Sequence, residues 1–279
     1  MIGRELRLRI ISAILLAIPV LFLTWAGGAW FRVLAVLLSV LVFYEFSTIA
    51  KLREREPTER LIGWVVVGLG SMFVLMNWLS LALIAIFVGA ALAALPGIRT
   101  KTIPWAATAI LYSGLFGVAL AGLRETGFFG LAAMLFIIAI VWATDIMAYF
   151  CGRAIGGRKL APSISPGKTW SGALFGAAAG VAAGLAIVLV VRQGSGIVVP
   201  LIALVLSVAS QVGDLFESWV KRRFAVKDSS QLIPGHGGVM DRVDGLVFAV
   251  FAAFILAIIL PPAGSGGMQS ELAARLLGH

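Results

Sequence analysis

Charged side chains are scarce in this sequence, where Asp, Glu, Lys and Arg together make up 13% of the 279 residues. Soluble domains usually contain about 25% of such residues, so the composition disfavours a soluble globular protein. The single cysteine, Cys151, excludes an internal disulfide bond. The short alternating segments of a membrane β-barrel are missing. No DNA- or RNA-binding motif is present, so we expect no nucleic-acid partner.

Hydrophobic residues, in contrast, make up 61% of the chain, and the mean hydropathy is +1.04. Apolar runs of about 17–25 residues, the length of a transmembrane helix, recur along the sequence. We therefore predict an all-α integral membrane protein, with one polytopic domain over residues 1–279 and a bundle of about nine transmembrane helices. The predicted spans are roughly 10–26, 29–49, 61–77, 79–95, 104–122, 128–150, 172–191, 197–213 and 244–260.

The basic residues predict the orientation of these spans. If the N-terminus is cytoplasmic, 18 of the 22 Lys and Arg residues lie on the cytoplasmic side, and the exceptions are Arg32, Arg124, Arg192 and Arg275. Cytoplasmic loops of membrane proteins are enriched in Lys and Arg. We therefore expect a multi-pass protein of the inner (plasma) membrane, with residues 214–245 on the cytoplasmic face.

The five aspartates all lie in the second half of the chain: Asp145, Asp214, Asp228, Asp241 and Asp244. Asp145 falls deep in the sixth span, where an ionised side chain costs about 2.5–3.5 kcal/mol. It therefore belongs to an active site or pairs with a cation on a neighbouring helix. Glu45, near the end of the second span, is assigned no role.

Three polar residues follow the eighth span at helical spacing. If the helix continues, Asp214, Ser218 and Lys221 share one face, about two turns long. The alternative is an ordinary helix end, at which Glu217 pairs with Lys221 four residues later.

Asp241 and Asp244 begin the ninth span and are three residues apart, so they face the same way in a helix. Carboxylates are favoured at a helix N-terminus by the helix dipole. Together with Asp214, they also offer hard oxygen ligands suited to Mg²⁺. The same segment adds groups suited to phosphate and close backbone approach: His236, Arg242, Gly235, Gly237 and Gly238. This combination suggests phosphate chemistry.

The segment SWVKRRFAVKDSSQLIPGHGGVMDRVDG, residues 218–245, resembles the characteristic motif of the phosphatidate cytidylyltransferases, or CDP-diacylglycerol synthases. The matching residues are Ser218, Lys221, Arg222, Lys227, Asp228, His236, Gly237, Gly238, Asp241, Arg242 and Asp244. A second block, SPGKTWSG, residues 165–172, resembles another cytoplasmic loop of that family.

The resemblance implies that phosphatidic acid attacks the α-phosphate of CTP to give CDP-diacylglycerol and pyrophosphate. It implies Mg²⁺ held by Asp214 and Asp241, with Asp244 beside them and Lys221 acting on phosphate; a second cation is left open. The residues expected to contact substrate are Ser218, Arg222, Lys227, Asp228, His236, Gly237, Gly238, Arg242, Ser165, Lys168 and Asp145. CTP, phosphatidic acid and membrane lipid are then the partners.

Several other functions are weighed against this one. A lipid kinase, or a cytidylyltransferase for another lipid, remains an alternative. A transporter would show an internal repeat and charges scattered through several spans, and the D-G-x₂-A-R motif of CDP-alcohol phosphotransferases is missing. A P-loop reading of Gly167, Lys168 and Thr169 fails, because Pro162 replaces the required glycine and no strand is predicted before it. Lys168 either contacts phosphate or serves as a cytoplasmic anchor.

Four glycines recur every four residues in the seventh span: Gly172, Gly176, Gly180 and Gly184. Such a ladder permits close helix packing. Packing within the chain and packing in a homodimer both satisfy it.

Overall fold

The structure is a computed structural model that describes residues 15, 17–125, 127–191, 198–233, 235, 237–260 and 271–277. Within these ranges the chain is almost entirely helical, and eight helices are long and apolar enough to cross a membrane. The prediction of an all-α, multi-pass membrane protein is confirmed. Residues 10–14 and 16 of the first predicted span lie outside the described residues, and Ala17–Ala26 forms a shorter apolar helix, α1.

The other elements follow in chain order. They are α2 (Gly28–Ile49), α3 (Leu52–Arg55), α4 (Pro57–Leu75), α5 (Leu79–Thr100), α6 (Trp105–Arg124), α7 (Phe128–Ile155), β1 (Lys159–Ala161), β2 (Ser165–Thr169), α8 (Trp170–Val191), α9 (Val198–Arg223), α10 (Met240–Ile259) and α11 (Glu271–Leu276). Eight of the predicted spans coincide with the eight long helices. The largest difference is at α9, which continues beyond the predicted end at residue 213.

A short turn separates α4 from α5. Asn77 adopts a left-handed backbone conformation with φ of 62°, which Asn tolerates better than most residues. The N–H of Trp78 then donates to the carbonyl oxygen of Phe73 at 2.8 Å, satisfying one of the last carbonyls of α4. The division of this long apolar stretch into two spans is therefore confirmed.

The chain divides into two compact units. The first, here the N-terminal unit, contains Met1–Ala121 and Arg223–Arg242. In it α2 packs against α4, and α4 packs against α5. The hydroxyl of Ser39 donates to the carbonyl oxygen of Ser113 at 2.9 Å, which ties α2 to α6. Because large side chains such as Phe43 and Phe116 are fully buried here, this unit has its own apolar core.

The second, here the C-terminal unit, contains Gly122–Arg222 and Val243–His279. Its α7 and α8 pack closely through the glycine ladder, all four members of which are buried. A Cβ added at Gly172 would lie 2.6 Å from the carbonyl oxygen of Ala148, and one at Gly176 would lie 2.8 Å from that of Thr144. The ladder therefore packs within the chain, against α7.

A small hairpin connects α7 to α8. The strands β1 and β2 are antiparallel, with Lys159 opposite Thr169 and Ala161 opposite Ser165. The expectation that no strand precedes the Gly-Lys-Thr sequence is therefore wrong. The hydroxyl oxygen of Thr169 accepts the N–H of Gly172 at 3.1 Å and so caps the start of α8. That local cap favours an extended segment leading directly into the helix.

Candidate active site

The helices α9 and α10 approach each other closely in the C-terminal unit. A Cβ added at Gly213 would lie 2.5 Å from the carbonyl oxygen of Asp244, and one at Gly245 would lie 3.2 Å from that of Ser210. Each glycine is the direct neighbour of a predicted site residue, because Gly213 precedes Asp214 and Gly245 follows Asp244. The absence of side chains at these positions therefore lets the two helices bring their aspartates together.

Charged side chains from four elements gather at this point. Asp145 on α7, Asp214 on α9 and Asp244 on α10 interact electrostatically with one another, and Lys168 and Lys221 add positive charge. We call these five residues the charge cluster. All five were predicted as site residues from the sequence. Opposite charges at close range offset the cost of placing three carboxylates near a membrane.

The polar residues that were predicted to share one face of α9 do share it. Because the helix continues to Arg223, Asp214, Ser218 and Lys221 lie on one side of it. The hydroxyl of Ser218 is 3.4 Å from Asp214 Oδ1, a long hydrogen bond. Lys221 Nζ lies 2.5 Å from Oε2 of Glu217, whose side chain is 1% exposed. Lys221 therefore makes the ion pair that the sequence offered as its alternative role.

Two further predicted residues lie beside the hairpin. Ser165 begins β2 and is half-buried. Arg222, near the end of α9, donates from Nε to the carbonyl oxygen of Ile164 at 3.4 Å and is otherwise exposed. The hairpin turn is thus attached to the end of α9.

The remaining predicted residues belong to the N-terminal unit. Lys227, Asp228 and Arg242 have exposed side chains. Gly237 has a φ of 80°, in the region that favours glycine. Gly238 is buried, and its N–H donates to Asp241 Oδ2 at 2.8 Å. His236 lies outside the described residues.

One residue with an evident structural role was missed by sequence reasoning. Glu45 is fully buried in α2 and accepts four hydrogen bonds from residues 229–240. A charged residue inside an apolar span was a usable signal, because such residues are rare unless they are paired. Its partners lie far along the chain, so the sequence did not identify them.

The geometry leaves the predicted metal site untested. Within the described residues, no three His, Cys, Asp or Glu side chains lie close enough together to hold a metal ion. Mg²⁺ is often bound by only one or two carboxylates together with substrate phosphates and water, so this finding does not conflict with the donors present. Asp214 and Asp241 belong to different units, and their sharing of one ion stays a prediction.

These features define a multi-pass membrane protein in which acidic and basic side chains from three apolar helices and a hairpin form one cluster. Residues 7–260 match the cytidylyltransferase family. The chain belongs to the cytidylyltransferase family.

Individual relatives agree with this assignment. The chain is 43% identical over 255 residues to the phosphatidate cytidylyltransferase of Brucella abortus biovar 1 (strain 9-941), covering 91% of this chain and 94% of the relative. It is 31% identical over 270 residues to the phosphatidate cytidylyltransferase of Bacillus subtilis (strain 168), covering 91% and 98% of the two chains. The similarity therefore extends over nearly the full length of both relatives.

Proposed function

We propose that this chain is an enzyme of phospholipid biosynthesis that transfers the cytidylyl group of CTP to phosphatidic acid. The products are CDP-diacylglycerol and pyrophosphate. The observation that carries the proposal is 43% identity over 91% of the chain to a phosphatidate cytidylyltransferase. The intact motif of residues 218–245 supports the same activity.

The charge cluster is suited to this reaction. An oxygen of the phosphatidic acid phosphate forms a bond to the α-phosphorus of CTP, and the bond from that phosphorus to the bridging oxygen of the β-phosphate breaks. Because the attacking phosphate is already an anion, the reaction depends on positioning and charge neutralisation more than on a strong base. Lys168 and Lys221 supply positive charge. Preorganised positive charge directed at the substrate phosphates stabilises the transition state.

Mg²⁺ is proposed as the cofactor, with Asp214 as the ligand that the geometry favours. Its carboxylate is a hard oxygen donor and is 32% exposed, so a cation and a phosphate can reach it. Asp241 is the second proposed ligand, although both of its oxygens already accept hydrogen bonds from its own loop. When bound, Mg²⁺ would neutralise the triphosphate charge that develops on the leaving pyrophosphate.

The cell inner membrane, with the N-terminus and the charge cluster on the cytoplasmic side, is the proposed location. The support is the uneven distribution of Lys and Arg, 18 of 22 on that side, and the availability of CTP in the cytoplasm. Lipid acceptors then enter from the bilayer while the nucleotide enters from water. A homodimer is left as a proposal without a residue assigned to it.

The activity is tested with purified protein, Mg²⁺, phosphatidic acid and CTP labelled on either the α- or the γ-phosphate. A cytidylyltransferase transfers the α-label to lipid and releases the γ-label in pyrophosphate. A lipid kinase transfers only the γ-label to lipid. A parallel series with other lipid acceptors identifies the acceptor class. Failure of phosphatidic acid to acquire the α-label, in a folded preparation, would refute the proposal.

A further inference from the structure

A buried carboxylate in α2 holds the segment that carries the family motif. Glu45 has no exposed surface, a costly position for a charge unless it is fully hydrogen-bonded. Its Oε1 accepts from the hydroxyl of Ser230 at 2.6 Å and from the N–H of Val239 at 2.9 Å. Its Oε2 accepts from the hydroxyl of Ser229 at 3.0 Å and from the N–H of Met240 at 2.7 Å. All four hydrogen-bond donors lie within residues 218–245, which carry the family motif.

These bonds satisfy the start of α10. The first N–H groups of a helix have no partner within the helix, and the helix dipole favours a negative charge beside them. Val239 and Met240 are at that point, because α10 begins at Met240. Glu45 therefore caps α10 from a different helix, 195 positions earlier in the chain.

A second carboxylate completes the arrangement. Asp241 Oδ2 accepts from the hydroxyl of Ser229 at 2.9 Å and from the N–H of Gly238 at 2.8 Å. The single hydroxyl proton of Ser229 is therefore shared between Glu45 Oε2, 3.0 Å away, and Asp241 Oδ2, 2.9 Å away. A Cβ added at Gly238 would lie 2.6 Å from both carboxylate oxygens of Glu45 and would overlap the Ser229 hydroxyl. The space beside Glu45 is therefore too small for any residue larger than glycine at position 238.

We propose that Glu45 is a positioning residue, which fixes residues 228–233 and 237–241, here the motif loop, in the geometry needed for nucleotidyl transfer. The inference rests on the proposed function, because the family resemblance implies substrate contacts for Lys227 and Arg242, which are both exposed. Both residues flank the segment that Glu45 holds. When a loop is already ordered, no binding energy is lost in ordering it as substrate binds. If the loop loosens, part of the binding energy goes into ordering it, and kcat falls.

Glu45→Gln is the most direct test. The amide keeps one acceptor oxygen, but its NH₂ group faces two donors that previously found a carboxylate oxygen. We expect kcat to fall by about 10- to 100-fold, the equivalent of one lost hydrogen bond to a charged group. We also expect faster amide hydrogen exchange confined to the motif loop, with little change in the apolar helices.

Glu56→Gln is the matched control. Glu56 is also a glutamate that accepts a backbone N–H near a helix start, that of Ala106 at 2.9 Å in α6. It makes no described hydrogen bond with the motif loop. We expect wild-type kcat and wild-type exchange in the motif loop for this variant. A kcat loss equal to that of Glu45→Gln would overturn the proposal.

A double-mutant cycle with Ser230→Ala measures the coupling. Ser230→Ala removes a single donor from Glu45, and we expect a loss of roughly 3- to 10-fold in kcat. In Glu45→Gln/Ser230→Ala the two losses should be less than multiplicative, because both changes disrupt one contact. If Glu45→Gln does not fold, Ser230→Ala alone decides through the same kcat and exchange measurements.

The readouts separate this inference from the proposed function. If wild-type protein gives no CDP-diacylglycerol, the proposed function fails, and the positioning role fails with it. Exchange still reports whether Glu45 orders the loop. Unchanged exchange in the motif loop of a folded Glu45→Gln protein overturns the inference. Faster exchange with unchanged kcat overturns it as well, because the loop is then ordered without consequence for the reaction.

Discussion

Lys168 on β2 and Asp214 on α9 form a salt bridge of 2.5 Å between Nζ and Oδ2. The pair connects the block of residues 165–172 to α9 at a position four residues before the block of residues 218–245 begins. The side chains are 25% and 32% exposed, so the pair itself contributes only about 0–1 kcal/mol to stability. A partly exposed lysine beside a carboxylate is well placed to exchange that partner for a phosphate.

The first prediction follows from this pair. Lys168→Ala should lower kcat/KM for CTP by about 100-fold, or roughly 2–3 kcal/mol of transition-state binding. The free energy of unfolding should change by no more than about 1 kcal/mol. Lys159→Ala, on the neighbouring strand β1, is the matched control and should retain activity. Wild-type kcat/KM in Lys168→Ala would leave Lys168 as a membrane anchor.

The second prediction concerns Lys221, which pairs with the nearly buried Glu217. Lys221→Ala should reduce kcat/KM by roughly 2–3 kcal/mol. It should also destabilise the fold, by about 3–5 kcal/mol, because Glu217 loses this cation in a buried environment.

The double variant Lys221→Ala/Glu217→Gln separates these two effects. Removing the glutamate charge should restore most of the stability, measured by unfolding in detergent, while kcat/KM stays low. Glu217→Gln alone is the control for the helix and should remain active. Recovery of kcat/KM in the double variant would show that Lys221 acts only as a partner for Glu217.

The third prediction tests the shared Mg²⁺ site. Asp→Asn keeps the size of the side chain but removes its charge, so Mg²⁺ binds far less well. Asp214→Asn and Asp241→Asn should each lose most turnover and need more Mg²⁺ for what remains. The double variant should be little worse than either single one, because ligands of one ion act as a unit.

Turnover is measured against Mg²⁺ concentration for all four proteins. The structure makes the Asp241 result the decisive one, since Ser229 and Gly238 already donate to its carboxylate. If Asp241→Asn lowers turnover without changing the Mg²⁺ requirement, Asp241 orders the motif loop and is not a ligand.

The fourth prediction tests the packing of α8. A Cβ at Gly180 would overlap Thr144 Oγ1 and lie 3.0 Å from Ser207 Oγ. Those two hydroxyls share a buried hydrogen bond of 2.6 Å. Gly180→Ala should therefore destabilise the protein by about 1–3 kcal/mol through overpacking.

Gly68→Ala is the matched control for that substitution. Gly68 is also in a long apolar helix, but a Cβ added there meets nothing within 4 Å. We expect Gly68→Ala to be neutral or to stabilise α4 by about 0.5 kcal/mol. Equal destabilisation by the two substitutions, measured by thermal unfolding in detergent, would contradict the packing explanation.

Hydrophobic patterning accounts for most of the fold that was predicted. Membrane-spanning helices satisfy their own backbone hydrogen bonds, so their positions depend mainly on local composition. That is why the helices α2 to α10 that can cross a membrane were predicted with small errors at their ends. The end of α9 was predicted too early, because the run of apolar residues ends before the helix does. The hairpin was missed because the cap at Thr169 and the pairing of Lys159 with Thr169 leave no apolar signature.

The sequence alone determined the membrane class, the spans and the family resemblance, and it named the members of the charge cluster among its candidate site residues. The motif is a local pattern in the sequence. Asp145 was recognised as a candidate because a carboxylate within an apolar span is costly unless it is paired or functional. Tertiary structure decided which groups meet: Lys168 with Asp214, the glycine ladder with α7, and Glu45 with Ser229. Glu45 and Ser229 are separated by 184 positions. Contacts at such separations depend on how helices pack, and hydrophobic periodicity contains no information about which polar groups that packing brings together.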